Sequence, residues 1–180
     1  MQRGIFLDRD GTIIRHIPYL RDPRDVQLLS GTPDGLRTLA KAGYCLFVVS
    51  NQSGVARRYF SMMELREVND RMYALLSRQD IYIVDARYCI HAPEENCTCR
   101  KPSPGSIIEL AEMHCIALDQ SWMVGDSESD VEAGRRAGCR TGLIEAGTHT
   151  GGLCKRMHLS QPDFVVPDLR AAAERILSFA

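Results

Sequence analysis

The chain alternates short apolar runs with longer segments in which apolar residues recur every three or four positions. Ile5 to Asp8 has the length and apolar character of a short first strand. Thr32-Pro33 reads as an N-cap followed by proline at the first helical position, with Leu36, Leu39 and Ala40 on one face and Gly43 at the stop. Cys45 to Val49 is an unbroken apolar run, as a central parallel strand covered on both faces requires. Ser61 and Glu64 form a capping box ahead of Leu65, Val68, Met72 and Leu76, which predicts a long helix to about Arg78. Ile81 to Val84 and Tyr88 to Ile90 are strand-like, and Ser103-Pro104 opens a helix carrying Ile107, Ile108 and Leu110. Trp122 to Val124 is a further buried strand, and Ser127 with Asp130 caps a helix that ends near Gly138. Thr141 to Ile144 and Phe164 to Val166 are strands, and Pro167 to Leu177 is a helix. Strands alternating with helices predict an α/β fold, a Rossmann-like three-layer parallel sheet with helices on both faces.

Length narrows this to one domain over 1–180, with no large cap domain, because 180 residues supply one well-buried core and little more. Lys and Arg (22) nearly balance Asp and Glu (23), which argues against nucleic acid or a membrane surface as partner. No apolar run approaches the roughly 20 residues of a membrane span, and Met1 to Gly4 lead straight into the first strand, so a cytoplasmic protein is expected.

The seven cysteines are odd in number and unevenly placed. Cys89, His91, Cys97 and Cys99 fall within eleven residues, and three thiolates with one imidazole are a donor set that Zn²⁺ accepts tetrahedrally. Four protein ligands leave no open position, so the expected ion is structural, fixing a loop at about 89–101 and the Arg100 and Lys101 that end it. Cys45, Cys115, Cys139 and Cys154 are read as buried or incidental thiols.

Candidate chemistry clusters where apolar strands end. Asp8 and Asp10 follow the first strand in Asp8-Arg9-Asp10-Gly11-Thr12, where a parallel strand opens onto the ligand crevice. An Asp-rich turn would look the same in isolation. The next strand ends in Ser50-Asn51-Gln52-Ser53-Gly54, with a hydroxyl, amides and backbone N–H groups suited to a phosphate. A later one ends in Gly125-Asp126-Ser127-Glu128-Ser129-Asp130, although Ser127 and Asp130 could serve there as helix caps alone. Three strand ends that each supply polar groups after apolar bodies are most economically explained by convergence.

In their order, Asp8-x-Asp10-Gly11-Thr12, Ser50, Lys101 and Gly125-Asp126-x-x-x-Asp130 resemble the four motifs of the haloacid dehalogenase superfamily of phosphohydrolases, over nearly the whole chain. The resemblance implies a first strand that is central, flanked by those ending at Ser50 and Asp126. It also implies Asp8 as nucleophile and Asp10 as acid and base. Asp8, the Asp10 carbonyl and Asp126 would be Mg²⁺ ligands, Ser50 and Asn51 donors to the phosphoryl group, Lys101 its neutralising charge and Arg100 a substrate-recognising residue. Asp130 would support the site by capping. The substrate would be a small phosphorylated metabolite, reached by a monomer through a mouth covered by the segment after Thr12 and the zinc loop.

The C-x-H…C-x-C-R-K-P signature resembles a narrower branch, the D-glycero-D-manno-heptose-1,7-bisphosphate phosphatases and their sister histidinol-phosphate phosphatases. Asn51 to Arg57 and Lys101 to Gly105 are more similar to the heptose side, which implies a sugar bisphosphate. The chain departs from that side at Ile90, at Arg58 and at Ile14-Arg15-His16, the last in a loop running to Tyr19-Leu20 that, as the resemblance implies, would contact substrate. A histidinol-phosphate phosphatase and a zinc-stabilised binding module without catalysis are the competing readings.

Overall fold

The computed structural model describes residues 1–145 and 161–179. Six strands form one parallel sheet in the order β3-β2-β1-β4-β5-β6. They are β1 (Arg3–Leu7), β2 (Tyr44–Asn51), β3 (Asp85–Cys89), β4 (Trp122–Gly125), β5 (Arg140–Ile144) and β6 (Phe164–Val166). Among the described residues the α-helices are α1 (Thr32–Lys41), α2 (Met62–Ser77), α3 (Gly105–Met113), α4 (Glu128–Ala137) and α5 (Leu169–Leu177). As expected, β1 is central between β2 and β4.

Strand parity divides the interior in two, because successive side chains leave a strand on opposite faces. Ile5, Leu7, Leu46, Val48, Trp122 and Val124 face a core closed by α1, α2 and α5 through residues such as Leu36, Met72 and Ile176. Phe6, Phe47, Val49 and Met123 face the other, closed by Ile107 and Leu110 of α3 and Ala133 of α4. Phe6 and Phe47 stack there at 5.2 Å between ring centroids. Each such buried side chain contributes on the order of 1.5–3 kcal/mol of transfer free energy, so both faces resist any shift of register.

Three local expectations are corrected. Ile81 to Val84 is not a strand: Ile81 is buried but Tyr82 and Val84 are exposed, and β3 begins only at Asp85 and ends before Ile90. Thr32 is not a cap. Gly31 occupies that position, and the buried Thr32 hydroxyl donates to the Ile13 carbonyl at 3.2 Å, tying α1 to the segment after β1. The last helix starts at Leu169, capped by the Asp168 carboxylate, so Pro167 precedes it. Both capping boxes, Ser61 with Glu64 and Ser127 with Asp130, form as expected. Of the scattered thiols, Cys139 is buried, Cys45 partly buried and Cys115 exposed, and Cys154 lies outside the described residues. Among the described residues no helix is long and apolar enough to cross a membrane.

Candidate active site

Register decides which residues meet. Leu7 is level with Val48 on one side and Val124 on the other, so Asp8, Ser50 and Asp126 lie within two residues of a single rung. The Asp8 N–H still donates to the Val124 carbonyl at 3.0 Å, which fixes the direction of departure. The chain then turns at Gly11, at φ +82°, where any Cβ would overlap the Asp126 carboxylate. Glycine is needed there for its positive φ and for the close approach of Asp126.

Lys101 reaches this rim from 93 residues beyond Asp8. Its side chain is 2% exposed, and Nζ lies 2.7 Å from Asp8 Oδ1, 2.6 Å from Asp130 Oδ1 and 2.6 Å from the Val49 carbonyl. Burial alone would discharge the ammonium, but its attraction to Asp130 and Asp8 outweighs that and holds the pKa above the ordinary lysine range. Asp130 takes Ser127 N–H and O–H on its other oxygen, so helix cap and counter-ion are one side chain.

The carboxylates repel one another. Burial pushes Asp8 up to about 6, with Lys101 pulling the other way and Asp130 and Asp10 adding to the rise. Burial, then Asp8 and Asp130, push Asp126 up to about 7. Asp8, Asp126 and Asp130 offer oxygens within 4.8 Å of one another. Hard oxygen donors, crowded and ionised only against resistance, are what a divalent cation such as Mg²⁺ relieves. Asp10 stands apart from that set, its carboxylate taken by Arg9 at 2.9 Å and Gln52 at 2.8 Å.

Asn51 lines the carboxylate cavity and has a second tie besides. Its side-chain amide donates to the Lys101 carbonyl and accepts from the Lys101 N–H, both at 3.0 Å, so it clamps the backbone that carries the lysine. Arg100 is not in the carboxylate cavity. Its guanidinium turns toward the His91 carbonyl, 3.5 Å away, and it lines a neighbouring depression with Asn96, Ser103 and Arg136.

That depression borders the thiol loop. Four edges are short: Cys89 Sγ to His91 Nδ1 and to Cys97 Sγ at 3.6 Å, His91 Nδ1 to Cys99 Sγ at 3.3 Å, and Cys99 Sγ to Cys97 Sγ at 3.4 Å. Tetrahedral Zn²⁺ with its usual bond lengths sets such edges at about 3.5–3.8 Å, so this donor set fits zinc. The loop rests on the start of α3, where Ser103 and Ser106 hydroxyls donate to the Thr98 and Cys99 carbonyls.

The cavity over the carboxylates measures about 440 Å³ and takes in Asp8, Asp10, Ser50, Lys101 and Asp126. Its wall is His16 to Leu20 on one side, as expected, but Ser53, Gly54 and Phe60 on the other, where the thiol loop was expected. Gly54 lets the Phe60 ring pack directly on the backbone. Tyr19 and Tyr59 meet edge to face at 4.4 Å and join these two segments.

Sequence reasoning missed Arg9 and Asn69, both buried, with the Arg9 guanidinium donating to Asn69 Oδ1 at 2.7 Å. The available signal was an asparagine four residues after Leu65, on the apolar face of α2.

A HAD-hydrolase-like family model matches residues 98–172. The D-glycero-beta-D-manno-heptose-1,7-bisphosphate 7-phosphatase of Pseudomonas putida is 34% identical over 174 residues, covering 96% of this chain and 98% of its own. The D-glycero-alpha-D-manno-heptose-1,7-bisphosphate 7-phosphatase of Photorhabdus laumondii is 34% identical over 172 residues, covering 91% and 94%. Among solved structures, the D,D-heptose 1,7-bisphosphate phosphatase of B. bronchiseptica, complexed with magnesium and phosphate, superposes with a TM-score of 0.90 at 31% identity, over 99% of both chains. The chain belongs to the D-glycero-D-manno-heptose-1,7-bisphosphate 7-phosphatase family of haloacid dehalogenase-like phosphatases.

Proposed function

We propose that the protein hydrolyses a phosphomonoester through an aspartyl-phosphate on Asp8, and that its substrate is D-glycero-D-manno-heptose 1,7-bisphosphate, which loses the 7-phosphate. The observation that carries this reading is Lys101 Nζ held between Asp8 and Asp130 at the floor of the cavity that also takes in Asp126, Asp10 and Ser50. A phosphate ester resists attack because its oxygens are anionic, so the site must cancel charge and present an oriented nucleophile.

Asp8 attacks phosphorus, and the leaving alkoxide takes a proton from Asp10, which then accepts one from the water that cleaves the acyl phosphate. Lys101 neutralises charge beside the nucleophile. Ser50 Oγ accepts from Gln52 Nε2 at 2.9 Å, which leaves its own O–H to donate to the phosphoryl group. Asn51 acts through Lys101, by fixing its backbone. Asp8, Asp126 and the Asp10 carbonyl would hold Mg²⁺, which supplies the positive charge that lets an anion approach an anionic ester. Cys89, His91, Cys97 and Cys99 would hold a structural Zn²⁺ that shapes the approach to Lys101.

The test is phosphate release by purified protein with Mg²⁺ from both anomers of the heptose bisphosphate and from histidinol phosphate. Preferred turnover of either heptose anomer is expected. Selective turnover of histidinol phosphate would overturn the substrate, and inertness toward all three would favour a binding module.

A further inference from the structure

The buried network behind Asp10 is not accounted for by nucleophile, metal or phosphate. Arg9 directs Nε and an Nη at Asp10 Oδ2, at 3.1 and 2.9 Å, while Gln52 Nε2 donates to the same oxygen at 2.8 Å. Asp10 Oδ1 receives a single longer contact of 3.3 Å from Arg9. The Arg9 side chain is 1% exposed, and its other Nη is held by Asn69 of α2. Gln52 also donates to Ser50 Oγ. One carboxylate oxygen is therefore saturated with donors, and the other is left to exchange a proton.

We infer that Arg9, Asn69 and Gln52 are positioning residues that lock Asp10 with Oδ2 turned inward, making Oδ1 the atom that gives the proton to the leaving oxygen and later takes one from water. The inference deepens the proposed function and rests on its assignment of Asp8 and Asp10. A carboxylate free to rotate presents its proton in the right geometry only part of the time, and general acid catalysis is sensitive to that geometry. A buried arginine that served stability alone would have no reason to leave one carboxylate oxygen nearly unbonded.

The test is single-turnover kinetics of the full chain with Mg²⁺. It compares the heptose bisphosphate, whose alkoxide needs a proton, with p-nitrophenyl phosphate, whose leaving group departs without one. Arg9→Met leaves Asp10 without its buried counter-ion and is expected to lower the melting temperature. Asn69→Leu, which keeps the Arg9 charge but frees its guanidinium, is therefore measured beside it, together with Gln52→Leu.

Phosphorylation of Asp8 by the heptose bisphosphate is expected to slow roughly 10- to 100-fold in Arg9→Met and Gln52→Leu, and less in Asn69→Leu. The nitrophenolate burst should be spared in Arg9→Met and Asn69→Leu. In an Asp10→Asn background Arg9→Met and Asn69→Leu should cost nothing further, since they act through a group already lost. Equal slowing with both esters in Arg9→Met and Asn69→Leu, or additive losses in the Asp10→Asn background, would overturn the inference. Parent enzyme that forms no phosphoryl-Asp8 from either ester would overturn the functional reading beneath it as well.

Discussion

The carboxylates at the ends of β1 and β4 and the thiols that begin at the end of β3 share one rim of a parallel sheet, yet they are built for opposite ends. The thiol cluster satisfies itself: four donors face inward at tetrahedral spacing, and its backbone is tied to α3. The carboxylate cluster is left in tension, with Asp8 raised by burial, Asp130 and Asp10, Asp126 raised by burial, Asp8 and Asp130, and one lysine shared between Asp8 and Asp130. A closed donor set suits a structural ion, whereas crowded oxygens over an open cavity suit an ion that must also meet substrate. Lys101 connects the two, because it ends the loop and serves the carboxylates.

The largest separation between the regions should come from Asp8→Asn. Loss of turnover on the order of 10⁴ or more is expected, with zinc content unchanged, measured by phosphate release and metal analysis. Full activity in that variant would remove Asp8 from its role. Cys97→Ser should reach both regions. A melting temperature lower by on the order of 10 °C is expected from losing a structural ligand. A turnover loss of about 10² would follow as Lys101 loses its setting. Unchanged turnover alongside the lower melting temperature would show that the loop does not govern the lysine.

Asn51→Ala sharpens the link further, since it touches neither metal set. Loss of two bonds to the Lys101 backbone should cut kcat about tenfold, with little change in KM, read from steady-state rates. A large rise in KM with unchanged kcat would return Asn51 to direct substrate binding.

The smallest effect is on pH. Asp8 and Asp126 keep protons in the folded, metal-free chain up to about 6 and about 7, whereas the unfolded chain gives them up near ordinary carboxylate values. Between roughly pH 4 and 7 the unfolded state therefore binds fewer protons, and metal-free stability should fall as pH rises. Mg²⁺ displaces those protons, so its apparent affinity should strengthen across pH 6 to 7 and level off above. Calorimetric titration at several pH values checks both the direction and the proton release.

The sequence showed the sheet and the acid residues plainly, because strand parity and the D-x-D-G turn are local signals. Asp126 was legible for the same reason, beside Gly125, whereas Ser50 and Lys101 stood out only through the combination and order of the motifs. What it could not show was side-chain direction. Asn51 and Arg100 have the right chemistry at the right strand end or loop, but Asn51 is turned onto the Lys101 backbone and Arg100 toward His91. Arg9 lies inside the first motif and was overlooked because its partner Asn69 lies 60 residues away on a helix. Phe60 entered the cavity wall through contact with Gly54, which no periodicity reports.

The most direct measurement is to quench the reaction with Mg²⁺ and heptose bisphosphate in acid, reduce with borohydride and map the peptides by mass spectrometry. The tryptic peptide Gly4–Arg9 contains Asp8 as its only side-chain carboxyl. Conversion of that aspartate to homoserine is the predicted result. An unmodified Gly4–Arg9 peptide from enzyme that is turning over would contradict the account.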